Sequence, residues 1–306
     1  MTITDRSIWT EDDRPKSWDE YFGHEEEVSN IRAKLEAGTL DVIILEGPAG
    51  TGKTTIARLI AADIQGSYQE GLDNMLDLNG SDENGIDVMR GKVKNHCKNS
   101  SITGKKKVVF LDEAEYLTGP AQGALRRIIE DHKKQAIFIF ATNNVAKIIS
   151  PLISRGHKNV FHFGPLDEES AHNLVRYFNN KYTINITKKA VNDILYQAKG
   201  DARAIVAMLQ DYKDGVGINT EHLAGVYKFV DMLAEYEITD PVEPLQFITE
   251  DDLSAIMRYI MSKDIPMEGK ATLVKVLAEA DRDLQNSHNK DLQLVRMIMK
   301  LSEVWP

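Results

Sequence analysis

A single cysteine, Cys97, stands among the 306 residues of the chain, so no disulfide can close within it. The eight histidines show no H-x-x-x-H or comparable pairing, and a structural metal is not expected. No apolar run approaches the roughly 18 residues that a membrane span needs. The first residues, "MTITDRSIWTEDDRPKSWDEYFGHEEE", have no basic segment followed by an apolar one. Neither secretion nor organelle import is indicated, and the expected compartment is the cytoplasm. Net positive charge is missing too: the formal charge is -10, which argues against a surface uniformly coated for nucleic acid. One stretch departs from that average, because residues 88–107 hold Arg90, Lys92, Lys94, Lys98, Lys105, Lys106 and Lys107 and no acid. Internal repeats and low-complexity tracts are also absent.

What is present from residue 41 to 163 is an alternation of short apolar runs with longer segments of helical period. The runs are "DVIILEG" (41–47), "MLDLNG" (75–80), "KVVFLDEA" (107–114), "AIFIFATNN" (136–144) and "NVFHFG" (159–164). Strands buried on both faces read this way, and the pattern predicts a doubly wound parallel five-stranded α/β sheet with ligands at the carboxyl ends of its strands. Beyond Gly164 the strand signals fade. Segments 168–182, 187–199 and 202–213 have helical spacing, with Asp167 or Ser170 available as the first cap. Breaks at "KDGVGINT" (213–220) and "ITDPVEP" (238–244) precede a last helical region. The expected domains are 1–164, a small helical domain at 165–228 and a terminal helical domain at 229–306. Methionines 257, 261, 297 and 299 read as core-filling stripes in the last of these.

"GPAGTGKT" (Gly47 to Thr54) matches the phosphate-cradling pattern G-x-x-x-x-G-K-[ST], placed between a strand and a helix as that pattern requires. Pro48, Ala49, Gly50, Thr51, Gly52, Lys53, Thr54 and Thr55 are the candidate nucleotide-binding residues. Backbone N–H groups would point at phosphate oxygens, Lys53 would bridge the β- and γ-phosphates, and Thr54 would ligate Mg²⁺. Asp112, at the end of the "KVVFLD" run, is the second candidate Mg²⁺ ligand. Glu113 follows it as the candidate base that polarises a water for attack on the γ-phosphate. Asn143 ends another strand; its amide can orient that water, although by itself an asparagine there reads as a turn residue. Arg155 and Arg203 begin or end predicted helices, and isolated arginines are ordinarily solvated. Aimed at a γ-phosphate, either would stabilise the transition state.

The ordered set "RPKSWDEYFGHEE", "GPAGTGKTT", "LNGSDENGIDVMR", "VVFLDEAEYL", "QGALRRIIED", "ATNNVAKIISPLISRG" and "GDARAI" resembles the small subunits of replication-factor-C type clamp loaders, which are AAA+ ATPases. The resemblance covers at least residues 9–213, and its wording is similar to the ATPase subunit of tailed-phage clamp loaders, which would place the protein in the host cytoplasm. It implies ATP and Mg²⁺ as cofactors. Asn143 would be sensor 1, Arg203 sensor 2 in a lid, and Arg155 an arginine finger reaching the ATP of a neighbouring subunit. The terminal helices would form an oligomerising collar.

Two positions depart from the family pattern. Gly156 stands where the family's Ser-Arg-Cys motif has cysteine. Asp13 stands where a tyrosine usually precedes Arg14 and Pro15 along the adenine, with Phe22 a candidate replacement contact.

The implied partners are copies of the chain, one different loader subunit, a sliding clamp and primer-template DNA; no membrane is implied. On an α-helix, Arg90, Lys94 and Lys98 would share one face. That face is a solvated surface on the residues alone and a phosphate-tracking row once the resemblance is included. Gln122, Arg126 and Arg127 would form a second DNA contact. A helicase loader or branch-migration motor is the alternative reading. A protein remodeller fits less well, because "NGSDENG" offers no aromatic pore residue.

Overall fold

Five apolar runs form five strands, and their side chains alternate between two cores. The computed structural model describes residues 8–99, 104–156, 159–216, 221–235, 238, 240–287 and 289–305. The strands are β1 (Val42–Glu46), β2 (Met75–Asn79), β3 (Lys107–Asp112), β4 (Ala136–Thr142) and β5 (Val160–His162). They pair in parallel in the order β2-β3-β4-β1-β5, with Leu45 beside Ala141 and Asn79 beside Asp112. Val42 and Ile44 point to one core with Phe138 and Phe140; Ile43 and Leu45 point to the other with Phe110 and Ile139. Each such aliphatic or aromatic side chain stabilises the sheet by roughly 1.5–3 kcal/mol relative to exposure. A run without polar interruption is what burial on both faces demands.

Helices fill both sides. In chain order they are α1 (Trp9–Asp12), α2 (Glu25–Glu36), α3 (Lys53–Gln65), α4 (Tyr68–Asp73), α5 (Ile86–Val88), α6 (Lys94–Lys98), α7 (Gly119–His132) and α8 (Ser150–Gly156). Then come α9 (Glu168–Tyr182), α10 (Lys188–Ala198) and α11 (Ala202–Lys213). Ile31 of α2 and Ile56 and Ile60 of α3 cover one face; Leu125 and Ile129 of α7 and Leu152 of α8 cover the other. Asp167 caps α9 by accepting from the Ser170 N–H at 2.7 Å, so Ser170 is the third residue of that helix and not its cap. Thr187 and Asp201 cap α10 and α11 in the same way.

The chain divides into two compact units, Met1–Val216 and Gly217–Pro306. The second contains α12 (Glu221–Ala234), α13 (Leu253–Ser262), α14 (Met267–Asn286) and α15 (Lys290–Val304). Helix α12 is continuous across residue 228, and the predicted break at 213–220 falls partly outside the described residues. Phe229, Ile256, Leu277 and Ile298 are buried in this unit's interior. The methionine expectation needs correcting: Met297 is 1% exposed, but Met257, Met261 and Met299 are 37%, 45% and 49% exposed. On α15, Met297 and Met299 are two residues apart, and a helix turns that step onto different faces. Among the described residues, no helix is long and apolar enough to cross a membrane.

Candidate active site

The carboxyl ends of β1, β4 and β3 lie side by side, so the loops that follow them open onto one cavity of about 370 Å³. The loop after β1 needs its glycines. Gly47 (φ 155°), Gly50 (φ 77°) and Gly52 (φ 95°) adopt backbone angles that L side chains rarely take. A Cβ at Gly47 would lie 1.9 Å from the Phe163 carbonyl oxygen, and one at Gly52 would lie 2.7 Å from the Tyr21 hydroxyl. The loop ends in the N-terminus of α3, where Gly52, Lys53 and Thr54 present backbone N–H groups suited to an anion.

Lys53 is folded back onto its own loop, donating to the carbonyls of Gly47 and Pro48 at 2.6 Å each and to Asn143 Oδ1 at 3.3 Å. Burial lowers its pKa; Asp112 and Glu115 pull it upward, and Arg203 lowers it further. The Thr54 hydroxyl donates to Asp112 Oδ2 at 2.9 Å. A hydroxyl and one carboxylate are the hard oxygen donors that Mg²⁺ uses beside phosphate oxygens. Among the described residues, no group of three or more His, Cys, Asp or Glu side chains could hold a metal by itself. Glu113 follows in the left-handed region at φ 50°, with its N–H on Asp112 Oδ1 at 3.0 Å. That turn directs the chain after β3 so that both Asp112 and Glu113 border the cavity.

The other predicted residues divide clearly. Ala49, Gly50, Thr51, Gly52, Thr55, Arg14, Pro15, Phe22, Asn143 and Arg203 line the cavity. Arg14 also reaches the Thr55 hydroxyl at 3.3 Å and is paired with Glu11 at 2.8 Å. Pro48 is not on the lining; its carbonyl holds Lys53 and the Thr51 hydroxyl within the loop. Phe22 packs against Tyr177 of α9 with ring centroids 5.4 Å apart. Asp13 accepts from Lys181 at 2.7 Å and from the Tyr182 hydroxyl. It ties the N-terminal segment to α9. Trp9 joins this tie by stacking on Tyr182 at 3.9 Å.

Arg155 stands apart. It does not line the cavity, and it donates to Pro151 O at 2.7 Å and to Glu130. Gly156 beside it packs on β1, where an added Cβ would lie 3.3 Å from Ile44, so the missing cysteine leaves a close contact and not a gap.

The DNA candidates require two corrections. Gln122 is 2% exposed and cannot meet a phosphate backbone. Its amide donates to Leu117 O at 3.1 Å and Lys147 O at 3.2 Å and accepts from Ile149 N–H at 2.8 Å, bracing α7 to the loop after β4. Arg126 and Arg127 on the same helix are exposed. Arg90, Lys94 and Lys98 are exposed as well, around buried Met89, Val93 and Cys97. They do not lie on one uninterrupted α-helix, because Met89–Val93 forms a π turn between α5 and α6. The π turn nevertheless keeps the three exposed cations at four-residue spacing, each following one of the three buried residues. Lys106 is paired with Asp41 at 2.8 Å and Lys92 with Glu83, so those charges are committed within the protein.

Tyr21 on the cavity lining, and Glu115 and Asp201 next to lining residues, escape sequence reasoning. Glu115 is 9% exposed and accepts from Asn143 N–H at 3.3 Å, while its second oxygen is buried with no partner. Tyr21 bonds the Thr51 carbonyl at 3.4 Å, and burial raises its phenol pKa. Asp201 caps α11 while its carboxylate lies where a Cβ on Gly50 would be, 2.1 Å away. Acidic and aromatic residues near strand ends and caps are too common for periodicity to single them out.

Comparison with known proteins agrees with this geometry. Residues 43–163 match the AAA family, "ATPase family associated with various cellular activities". The chain is 30% identical to the replication factor C small subunit of Haloarcula marismortui over 97% of this chain and 95% of that one. It is 31% identical to the replication factor C small subunit of Methanococcus vannielii, over 96% and 98%. In fold it is similar to the Thermotoga maritima RuvB Holliday junction branch migration motor, at 21% identity and TM-score 0.53 over 89% of this chain and 91% of that one. That likeness is one of fold, over most of the chain. With the phosphate loop, Asp112, Glu113, Asn143 and Arg203 on one cavity, and 30–31% identity to these relatives over nearly the whole of both chains, the chain belongs to the replication factor C small-subunit family of AAA+ ATPases.

Proposed function

We propose that this protein is an ATPase subunit of a DNA sliding-clamp loader that works with copies of itself and one different loader subunit. One observation carries the reading. Lys53, Thr54, Asp112, Glu113, Asn143 and Arg203 share a cavity, while Arg155 lies outside it on α8. A protomer alone then has Arg203 at its own site but not Arg155, and a neighbour's Arg155 completes γ-phosphate cleavage.

In this mechanism, triphosphate oxygens take the N–H groups of the loop after β1, and Lys53 exchanges its two carbonyl partners for phosphate. Thr54 and Asp112 would hold Mg²⁺, which supplies neutralisation of phosphate charge. Glu113 polarises the attacking water, Asn143 orients it, and Arg203 closes from α11. Primer-template DNA follows exposed Arg90, Lys94, Lys98, Arg126 and Arg127 through phosphate contacts that carry no sequence information. ATP and DNA cooperate only so far as both favour the assembly that holds the clamp open, and hydrolysis then releases the clamp. A branch-migration motor is disfavoured by the second unit, whose described elements are all helical and show no basic winged-helix pattern.

The test is ATP turnover by the complete assembly with and without primed DNA and clamp. Glu113→Gln is expected to retain ATP binding and lose turnover, and Arg155→Ala to lose turnover in the assembly. Full activity of Arg155→Ala, or no response of the wild-type assembly to primed DNA, would overturn the proposal.

A further inference from the structure

Two bonds hold the Arg155 guanidinium. The Nη1 bond to Pro151 O is local to α8, but the Nη2 bond crosses to Glu130 on α7, 25 residues earlier in the chain. The same Glu130 oxygen, Oε1, lies 3.7 Å from Nε of Arg126. One carboxylate oxygen is thus shared between an arginine on the proposed DNA face and the arginine proposed to act in trans. The elements presenting them are well seated. Ile128 and Ile129 set the roll of α7, and Leu152 with Gly156 sets α8 against Val42 and Ile44.

Folding stability is a weak explanation for this cluster. Arg155 is 26% exposed, Glu130 46% and Arg126 51%, and ion pairs at such exposure contribute little. Orientation explains it better. A guanidinium has five N–H donors, and two bonded inward leave three for an oxyanion. An arginine already held in one rotamer loses less freedom when it meets a ligand across an interface.

We infer that Glu130 is a positioning residue for hydrolysis: it holds Arg155 in the orientation that the neighbouring protomer's nucleotide receives, and its second arginine, Arg126, ties that orientation to the DNA-facing side of α7. The inference rests on the proposal that Arg155 acts in trans. Glu130 touches no nucleotide itself. A DNA phosphate that engages Arg126 removes the competitor for Oε1 and leaves that oxygen to Arg155.

A double-mutant cycle on the complete assembly with primed DNA tests this, using Glu130→Ala, Arg155→Ala and the pair, each with its melting temperature measured. Glu130→Ala is expected to lower kcat about 10-fold with KM for ATP unchanged, and to cause no further loss in the Arg155→Ala background. Glu130→Gln keeps an acceptor and should lose only about 3-fold, again solely when Arg155 is present. It carries the same cycle if the alanine variant does not fold. Wild-type kcat in Glu130→Ala, or a loss of equal size without Arg155, would overturn the inference while leaving the trans reading intact. Full activity of Arg155→Ala would instead remove the trans reading on which it stands.

Discussion

Glu115 lies behind the candidate hydrolytic residues, and its replacement separates two physical roles. Its Oε1 accepts the Asn143 N–H at 3.3 Å, and its Oε2 is buried without a partner. Glu115→Ala leaves that N–H unsatisfied, a cost of about 1–2 kcal/mol for a long, charge-assisted bond, and the lost packing adds roughly 1 kcal/mol. The sum of about 2–3 kcal/mol corresponds to a fall in melting temperature of roughly 4–12 °C for a unit of this size. Glu115→Gln keeps an acceptor for Asn143 and replaces the lone buried oxygen with an amide, so it should cost less than about 1 kcal/mol. Calorimetric melting of both variants, with amide exchange followed at Asn143, reads the difference directly. If alanine melts like the wild type, or if glutamine is as damaging as alanine, the hydrogen-bonding role assigned to Glu115 is wrong.

Gly47→Ala places a methyl group 1.9 Å from the Phe163 backbone carbonyl oxygen, which cannot swing aside as a side chain could, and should cost about 3 kcal/mol and remove nucleotide binding measured by fluorescent-analogue titration. For Lys53 the lowered pKa fixes a sign: between its folded value and 10.5 the unfolded chain binds more protons, so the nucleotide-free protein gains stability as pH rises there. Nucleotide affinity should fall across the same window, and Lys53→Met should abolish both trends in paired denaturation and binding titrations. Gln122→Ala strips partners from Leu117 O, Lys147 O and Ile149 N–H and should destabilise by about 2–3 kcal/mol in urea unfolding. Arg126→Ala on the exposed face should change stability by less than about 0.5 kcal/mol.

Much of the first unit is legible in the chain because its physics is local. Runs such as Val42 to Leu45 have no polar interruption, which only burial on both faces tolerates. The glycines at 47 and 52 stand at fixed offsets from Lys53, which only a phosphate-cradling turn requires. What local pattern misses is decided by partners distant in sequence. Gln122 reads as a surface residue beside Arg126, yet the loop at 147–149 meets it 25 residues later and buries it. The π turn at Met89–Val93 leaves the burial of Met89, Val93 and Cys97 at four-residue spacing, so hydrophobic period cannot reveal it. Asp13 looks like a lost base contact, but it is engaged by Lys181 and Tyr182, 168 and 169 residues away.

Cross-complementation tests the central claim, that each nucleotide site is finished by a neighbour. Glu113→Gln protomers keep Arg155, and Arg155→Ala protomers keep Glu113, so each variant is expected to be nearly inactive alone. Mixed within one assembly, they form interfaces that pair an intact Glu113 site with an intact Arg155, and ATP turnover should rise well above the sum of the separate variants. Turnover that stays at that sum, or an Arg155→Ala protein that hydrolyses ATP at the wild-type rate without a partner, would contradict the account.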